Sequence, residues 1–151
     1  MQVTDLVAPD SVIAGLRVAN KARLLQELAR RSAAATGLPQ AAIQDALLAR
    51  ESLGSTGVGA GVAIPHARIA GLDRFFALFA QLERAIDYDA VDAKPVDLVC
   101  LLLVPAKLKD HLQALASVSR RLREPAVTAA LRKAQDPPTL HRILTGASPA
   151  G

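Results

Sequence analysis

The sequence has few of the residues that mark several common classes of protein. It contains one cysteine, no tryptophan and only 3% aromatic residues among 151. The lone Cys100 cannot form a disulfide within the chain, and its place in an apolar run predicts a small buried side chain in a reducing cytoplasm. Because aromatic side chains are scarce, no stacking platform interleaves with the basic residues, and the net charge of +4 does not favour a nucleic-acid partner.

Long hydrophobic runs are missing as well. The longest, residues 98–106, has nine residues and contains Pro105, which makes it too short for a membrane span. The N-terminal residues MQVTDLVAPDS show neither the basic start nor the long apolar core of a secretion signal. We therefore expect a cytoplasmic protein without membrane insertion.

The length of 151 residues and the apolar content of 51% are typical of one globular domain. We expect that domain to cover residues 1–151, with a loose tail from about residue 146. The three histidines, His66, His111 and His141, lie 45 residues (66 to 111) and 30 residues (111 to 141) apart, which fits no short metal-ligand motif. We predict no metal and no other cofactor, and we interpret His141 as structural.

Hydrophobic periodicity predicts helices towards both ends of the chain and strands in the middle. Asn20 is a favourable N-cap and Gly37 a favourable stop for the helix between them, and Pro39 suits the first turn of the next helix. The strongest strand, 96–104, is apolar almost without alternation, as expected of a strand buried on both faces. The pattern therefore predicts an α/β fold with helices on both faces of a sheet. The predicted helices cover 21–36, 39–51, 108–123, 125–133 and 139–145, and the predicted strands lie near 12 or 17–18 and at 62–64, 75–82 and 96–104.

Residues 50–68, RESLGSTGVGAGVAIPHAR, form a glycine-rich segment that leads into a short apolar run. Glycine lets the backbone approach a ligand closely. The segment has no lysine, which excludes a Walker A loop, and its alternating glycines do not follow the G-x-G-x-x-G spacing of dinucleotide sites. Spacing alone leaves a plain structural turn as the alternative. Because Pro65 cannot donate within a ladder, we expect the strand to end there and His66 to lie at the rim of the sheet, where ligands bind in open α/β folds.

The same segment resembles the active-site segment of the EIIA domains of the bacterial phosphoenolpyruvate-dependent phosphotransferase system. The match is to the fructose/mannitol class and, within it, to the nitrogen-regulatory branch. In that family R-E-x-x-G-S-T-G-[IV]-G is followed by [IV]-A-[IL]-P-H, and residues 50–59 and 62–66 match both parts. The resemblance continues through 95–98 and 103–105 to 111–112, so it covers nearly the whole chain. It implies a mixed β-sheet sandwiched between helices in three α/β/α layers.

The resemblance also implies an active site. It makes His66 the phosphoryl acceptor (a tele-phosphohistidine, through Nε2), His111 the second histidine and Arg50 an electrostatic clamp. A neutral imidazole, with an ordinary pKa of about 6.5, is a good nucleophile near neutral pH. A guanidinium can bind two phosphoryl oxygens at once. With Asp110 as N-cap, His111 falls in the first turn of a helix, where the partial positive charge favours a phosphate.

Three residues of the glycine-rich segment are candidates for phosphate binding. Ser55 and Thr56 carry hydroxyl groups, and the backbone N–H groups around Gly57 can form an anion nest. The alternative for the hydroxyls is that they cap turns. A phosphocarrier must reach the acceptor, so we expect His66 to be exposed in a shallow depression, with Ile69 and Leu72 as candidates for its apolar rim.

The resemblance leaves two functions open. In both, the protein is a phosphotransferase component that receives a phosphoryl group from a small HPr- or NPr-like phosphocarrier. In the nitrogen-regulatory branch the phosphorylation state is read by target proteins such as transport regulators or sensor kinases. A free-standing fructose- or mannitol-type EIIA would instead pass the group to an EIIB domain in sugar uptake. We favour regulation, because the motif at residues 50–59 resembles that of the nitrogen-regulatory branch. A binding module that no longer transfers phosphate is a rival of another class.

Overall fold

The computed structural model describes residues 2–107 and 111–146, without the side chain of His111. Residues 147–151 of the tail expected from about residue 146, and the N-cap expected at Asp110, lie outside these residues. Within them the chain forms six helices and six strands, in the order α1 Val3–Leu6, β1 Val12–Leu16, α2 Lys21–Thr36, α3 Gln40–Ser52, β2 Gly57–Gly59, β3 Val62–Ala63, β4 His66–Ile69, β5 Phe76–Ile86, β6 Val96–Pro105, α4 His111–Leu122, α5 Pro125–Lys133 and α6 Pro137–Thr145.

The strands form one mixed sheet in the order β1-β5-β6-β3-β2, with β4 also paired to β6. Strand β1 runs parallel to β5, and β3 and β4 both run parallel to β6. Strand β5 is antiparallel to β6, and β2 is antiparallel to β3. The long pair β5 and β6 thus forms the middle of the sheet.

Helices cover both faces of the sheet, which confirms the expected three-layer α/β/α architecture. Helices α1, α4, α5 and α6 pack on one face, and α2 and α3 pack on the other. The apolar character of β6 follows from this position, because its two sides enter two separate cores. Leu98, Cys100, Leu102 and Val104 join the first core, and Val96, Val99, Leu101 and Leu103 join the second.

The ends of the helices follow from local chemistry. The Asn20 side chain accepts a hydrogen bond of 2.9 Å from the Arg23 N–H, and Gly37 ends α2 with φ at 77°. Both caps, and the bounds of α2 between them, are as predicted. Pro39 is the N-cap of α3 rather than its first helical residue. Pro137 opens α6 two residues before the predicted start, because a proline at the first position loses no helical hydrogen bond.

The strand around His66 differs from the prediction. It was expected to end before Pro65, but pairing with β6 resumes as β4, where His66 lies opposite Leu102. Pro65 cannot donate to the ladder, yet its carbonyl accepts a hydrogen bond of 2.9 Å from the Leu102 N–H, so the interruption is short. His66 therefore lies beside β6 in an interrupted strand rather than at a free strand end. Strands β2 and β4 and the four-residue α1 were not predicted.

None of the helices in the described ranges is long and apolar enough to cross a membrane.

Candidate functional site

The structure brings Arg50 and His66 into contact. Arg50 lies in the last turn of α3, and His66 is the first residue of β4. The Arg50 Nε–H donates to His66 Nε2 across 3.3 Å. A second guanidinium nitrogen of Arg50, Nη1, donates to the Gly54 carbonyl at 2.8 Å. The glycine-rich segment thus folds the end of α3 back against the sheet, and the arginine is held at both the loop and the ring.

The imidazole of His66 is held from its other side by the backbone. Its Nδ1 lies 2.8 Å from the Ile64 carbonyl oxygen, which can only accept. The hydrogen on the ring is therefore at Nδ1, and Nε2 is the nitrogen that accepts from Arg50. This tautomer gives Nε2 a lone pair directed at the guanidinium. The ring is half-buried.

The hydroxyl groups of Ser55 and Thr56 do not face His66 in this structure. The Ser55 hydroxyl donates to the Tyr88 carbonyl at 3.1 Å and accepts from the Gly57 N–H at 3.1 Å. Thr56 is 3% exposed, and its hydroxyl donates to Glu51 Oε2 and lies 3.0 Å from the Tyr88 hydroxyl. Both hydroxyls hold the loop in place, so a contact with phosphate requires these hydrogen bonds to break.

Gly57 is required by a close approach of two backbone segments. A Cβ at this position would lie 2.8 Å from both the Cα and the Cβ of Ala90. The Gly57 carbonyl also accepts a hydrogen bond of 3.0 Å from the Val91 N–H. The absence of a side chain thus serves the contact between β2 and the segment after β5.

A buried polar cluster behind Arg50 was not predicted. Glu51 accepts from the Thr56 N–H at 3.1 Å and forms an ion pair with Lys21 at 2.9 Å. Lys21 Nζ also lies 4.4 Å from the centre of the Tyr88 ring. Burial raises the pKa of the Tyr88 phenol far above its usual value, so this hydroxyl stays protonated. The sequence signal for Glu51 was its place beside Arg50, whereas nothing local marks Lys21 or Tyr88.

The remaining site residues are placed less fully. Helix α4 begins at His111, but the side chain of that residue lies outside the described part, and its contact with His66 remains a prediction. Of the two residues expected on the rim of the site, Ile69 is 4% exposed and belongs to the core beneath α2 and α3, so the expectation was wrong for it, whereas Leu72 is half-buried and packs against the same core. The strand resumes at His66, and its alternation turns Ile69 inward. The exposed leucines in the described part of the chain are Leu48, at 44%, Leu53, at 84%, and Leu112, at 67%.

No cluster of three or more histidine, cysteine, aspartate or glutamate side chains that could hold a metal ion occurs within residues 2–107 and 111–146. Cys100 is fully buried in β6, and burial raises the pKa of its thiol to about 12. It is therefore the small buried side chain that its apolar surroundings predicted.

Comparison with known proteins gives one consistent result. The family model of the phosphoenolpyruvate-dependent sugar phosphotransferase system, EIIA 2, matches residues 5–147. The nitrogen regulatory protein of Bradyrhizobium diazoefficiens is 46% identical over 145 residues, which cover 95% of each chain. The crystal structure of the nitrogen regulatory protein IIA-Ntr from Neisseria meningitidis aligns with a TM-score of 0.89 at 31% identity, over 95% of this chain and 99% of that one.

A likeness of fold alone extends to the mannitol system of Escherichia coli. A solved complex of its enzyme IIA-Mtl with phosphorylated enzyme IIB-Mtl aligns with a TM-score of 0.78 at 17% identity, over 93% of this chain and 99% of that one.

Proposed function

This chain belongs to the EIIA 2 family of the phosphoenolpyruvate-dependent sugar phosphotransferase system, in its nitrogen-regulatory branch, and we propose that it is a phosphoryl carrier with His66 as the acceptor. The observation that supports this most directly is the contact of 3.3 Å between Arg50 Nε and His66 Nε2. It joins a cation and a nucleophile, the two groups that the reaction needs.

His66 acts as the nucleophile through Nε2. Its lone pair attacks the phosphorus of a phosphocarrier's phosphohistidine and forms a new N–P bond. The carrier's N–P bond breaks at the same time, and its electron pair stays on the carrier's imidazole. The hydrogen at Nδ1 does not need to move, because the attack occurs at the other nitrogen and Nδ1 stays hydrogen-bonded to the Ile64 carbonyl oxygen, 2.8 Å away. The same carbonyl stabilises the positive charge that the ring takes once both nitrogens carry substituents.

Arg50 stabilises the transferred phosphoryl group. In the resting protein its Nε–H lies on the lone pair that phosphorus must approach, so the guanidinium has to move aside during attack. It can then donate to two phosphoryl oxygens, since its charge is permanent and its donors form a planar fork. Phosphoryl transfer depends mostly on such positioning and neutralisation of charge. We keep His111 as a second donor to these oxygens, at the start of α4.

Regulation is the output that the relatives favour. The bacterial relative with 46% identity is called a nitrogen regulatory protein, and so is the solved structure with a TM-score of 0.89. The phosphorylation state of His66 would then be the signal that target proteins read. Transfer to an EIIB domain is the second candidate, supported by the complex of the mannitol IIA with its phosphorylated IIB, which shares this fold.

The test is the intact mass of the protein after incubation with phosphoenolpyruvate, enzyme I and an HPr-type carrier. We expect one acid-labile phosphoryl group on the wild type and none on His66→Ala. Arg50→Ala should slow uptake by about 10²-fold or more, as for the removal of other transition-state donors. His141→Ala is the matched control, because His141 Nε2 bonds to the Val7 carbonyl at 2.9 Å and takes no part in the reaction. Phosphate on His66→Ala, or its absence from the wild type, would contradict the proposal.

A further inference from the structure

Four side chains behind the site form a closed ring of contacts. Lys21 pairs with Glu51, Glu51 accepts from the Thr56 hydroxyl, that hydroxyl meets the Tyr88 hydroxyl, and the Tyr88 ring lies beneath Lys21 Nζ. We call these four residues the Glu51 ring. They come from the start of α2, the end of α3, the glycine-rich segment and the segment after β5. The ring therefore joins four separate parts of the chain at one place.

The burial of this ring needs an explanation beyond stability. The side chain of Glu51 is only 6% exposed and that of Lys21 is 22% exposed. Moving two charges out of water costs free energy that their attraction often does no more than offset, and apolar replacements can be equally stable. Each polar group of the ring has a defined partner, so the ring allows one arrangement of its four segments and penalises others. An arrangement of this kind is suited to holding a nearby site in one geometry.

Two routes connect the ring to His66. The first is Arg50, the neighbour of Glu51 in the last turn of α3, which donates to His66 Nε2. The second runs through the backbone. The Thr56 carbonyl accepts from the Ile64 N–H at 3.0 Å, and the Ile64 carbonyl accepts from His66 Nδ1 at 2.8 Å. The Glu51 ring thus fixes the Ile64 carbonyl that holds Nδ1, and it fixes the end of α3 from which the Arg50 side chain reaches Nε2 and can swing aside during attack.

We propose that the Glu51 ring positions His66 and Arg50 for phosphoryl transfer, with Glu51 and Thr56 as positioning residues that never touch phosphate. The proposal rests on the function proposed above. It also changes the role of Thr56, whose hydroxyl was expected to bind phosphate, to support of the acceptor from behind.

The test is single-turnover transfer from a phosphorylated HPr-type carrier, measured over a range of carrier concentrations. Thr56→Val removes the hydroxyl without changing the shape of the side chain. We expect the maximal rate to fall by roughly 10- to 10²-fold, as when reacting groups are misplaced by about 1 Å. The carrier concentration at half-maximal rate should stay unchanged, because Thr56 is only 3% exposed and offers the carrier no surface. Thr56→Ser, which keeps the hydroxyl, should restore the rate to near the wild-type value.

Thr128→Val is the matched control. Thr128 is also buried, with 7% of its surface exposed, but its hydroxyl donates to the Pro125 carbonyl within its own helix. This variant should transfer phosphate at the wild-type rate. Tyr88→Phe removes only the Tyr88 hydroxyl from the Glu51 ring and should slow transfer less than Thr56→Val does. It replaces Thr56→Val in the test if that variant is too unstable to study.

A second readout requires no phosphate. The ¹⁵N chemical shifts of the His66 ring in the resting protein report which nitrogen carries the hydrogen. We expect the wild type to be protonated at Nδ1 and Thr56→Val to show a mixture of tautomers. Unchanged shifts together with an unchanged maximal rate in Thr56→Val, or equal slowing in Thr128→Val, would overturn the inference while phosphorylation of the wild type upholds the function. A wild type that accepts no phosphate would overturn the proposed function. The ¹⁵N shifts alone would then test whether the Glu51 ring positions His66.

Discussion

Replacing Gly57 by alanine tests the packing on which the site depends. The new methyl group would lie 2.8 Å from the Cα and Cβ of Ala90 and 3.1 Å from Cδ1 of Tyr88. Two of these atoms cannot yield easily, since one belongs to the backbone and the other to a fully buried aromatic ring. Gly57 itself does not have a positive φ, so the effect of the substitution is steric rather than conformational.

The expected loss of stability follows from two opposing terms. Forcing a methyl group into a filled site costs about 1–3 kcal/mol. Replacing glycine by alanine lowers the entropy of the unfolded chain, which returns about 0.4–1 kcal/mol. The net loss in the free energy of unfolding should be about 1–2 kcal/mol. For a chain of this size that corresponds to a fall of roughly 2–8 °C in the melting temperature.

Urea unfolding of Gly57→Ala, Ala90→Gly and the double variant provides the assay. Ala90→Gly removes the side-chain carbon that would lie 2.8 Å from the new methyl group and leaves the backbone carbon in place, so it should relieve part of the clash. The double variant should therefore be more stable than the sum of the single changes by about 0.5 kcal/mol or more, as for residues in contact. A Gly57→Ala protein as stable as the wild type, or strictly additive single changes, would refute the reasoning.

Three further predictions concern other parts of the molecule. Ser32 Oγ is buried without a hydrogen-bond partner among the described residues; Ser32→Ala should raise the free energy of unfolding by about 1 kcal/mol, and an unchanged or lower urea midpoint would speak against it. The Cys100 thiol, whose pKa burial raises to about 12, should react with a thiol reagent at pH 8 only as fast as the protein unfolds, and rapid labelling of the folded protein would show that the core is open. Hydrogen bonds from the Ala60 and Lys94 N–H groups hold the pKa of Asp92 below its usual range, so its carboxylate stabilises the fold above the unfolded pKa of about 3.9, and that contribution is lost as the pH falls through the lower folded value. The melting temperature of the wild type should therefore fall more steeply below that pH than that of Asp92→Asn, and parallel curves would exclude the effect.

The helices were predictable because their ends depend on neighbours in the sequence. Asn20 and Gly37 bound α2 through contacts within a few residues, and Pro125 opens α5 at the predicted position. The central strand β6 was also recognisable, because burial on both faces leaves a continuous apolar run. Strands β2 and β4 could not be found in this way. They are three and four residues long and exist only because β3 and β6 supply their partners.

The candidate site, too, was predictable only where its residues lie close together in the sequence. The residues 50–66 indicated Arg50 and His66 through a family resemblance, and the turn between them explains how two groups 16 positions apart meet at 3.3 Å. The residues that pack behind Arg50 and His66 could not be found from the sequence. Lys21 and Tyr88 belong to no motif and lie 67 positions apart (21 to 88), yet they meet in the structure.

The sequence by itself determined the local conformations and the apolar pattern of the core, because each depends on residue type and near neighbours, and through its family motif it indicated Arg50 and His66 as candidate site residues. Only the tertiary structure decided which way each polar group points. It turned the Thr56 hydroxyl to Glu51 rather than to His66, buried Ile69 in the second core and fixed the tautomer of His66 through the Ile64 carbonyl. The physical reason is that a hydrogen bond's direction is set by its partner, and these partners meet only when distant segments are packed together.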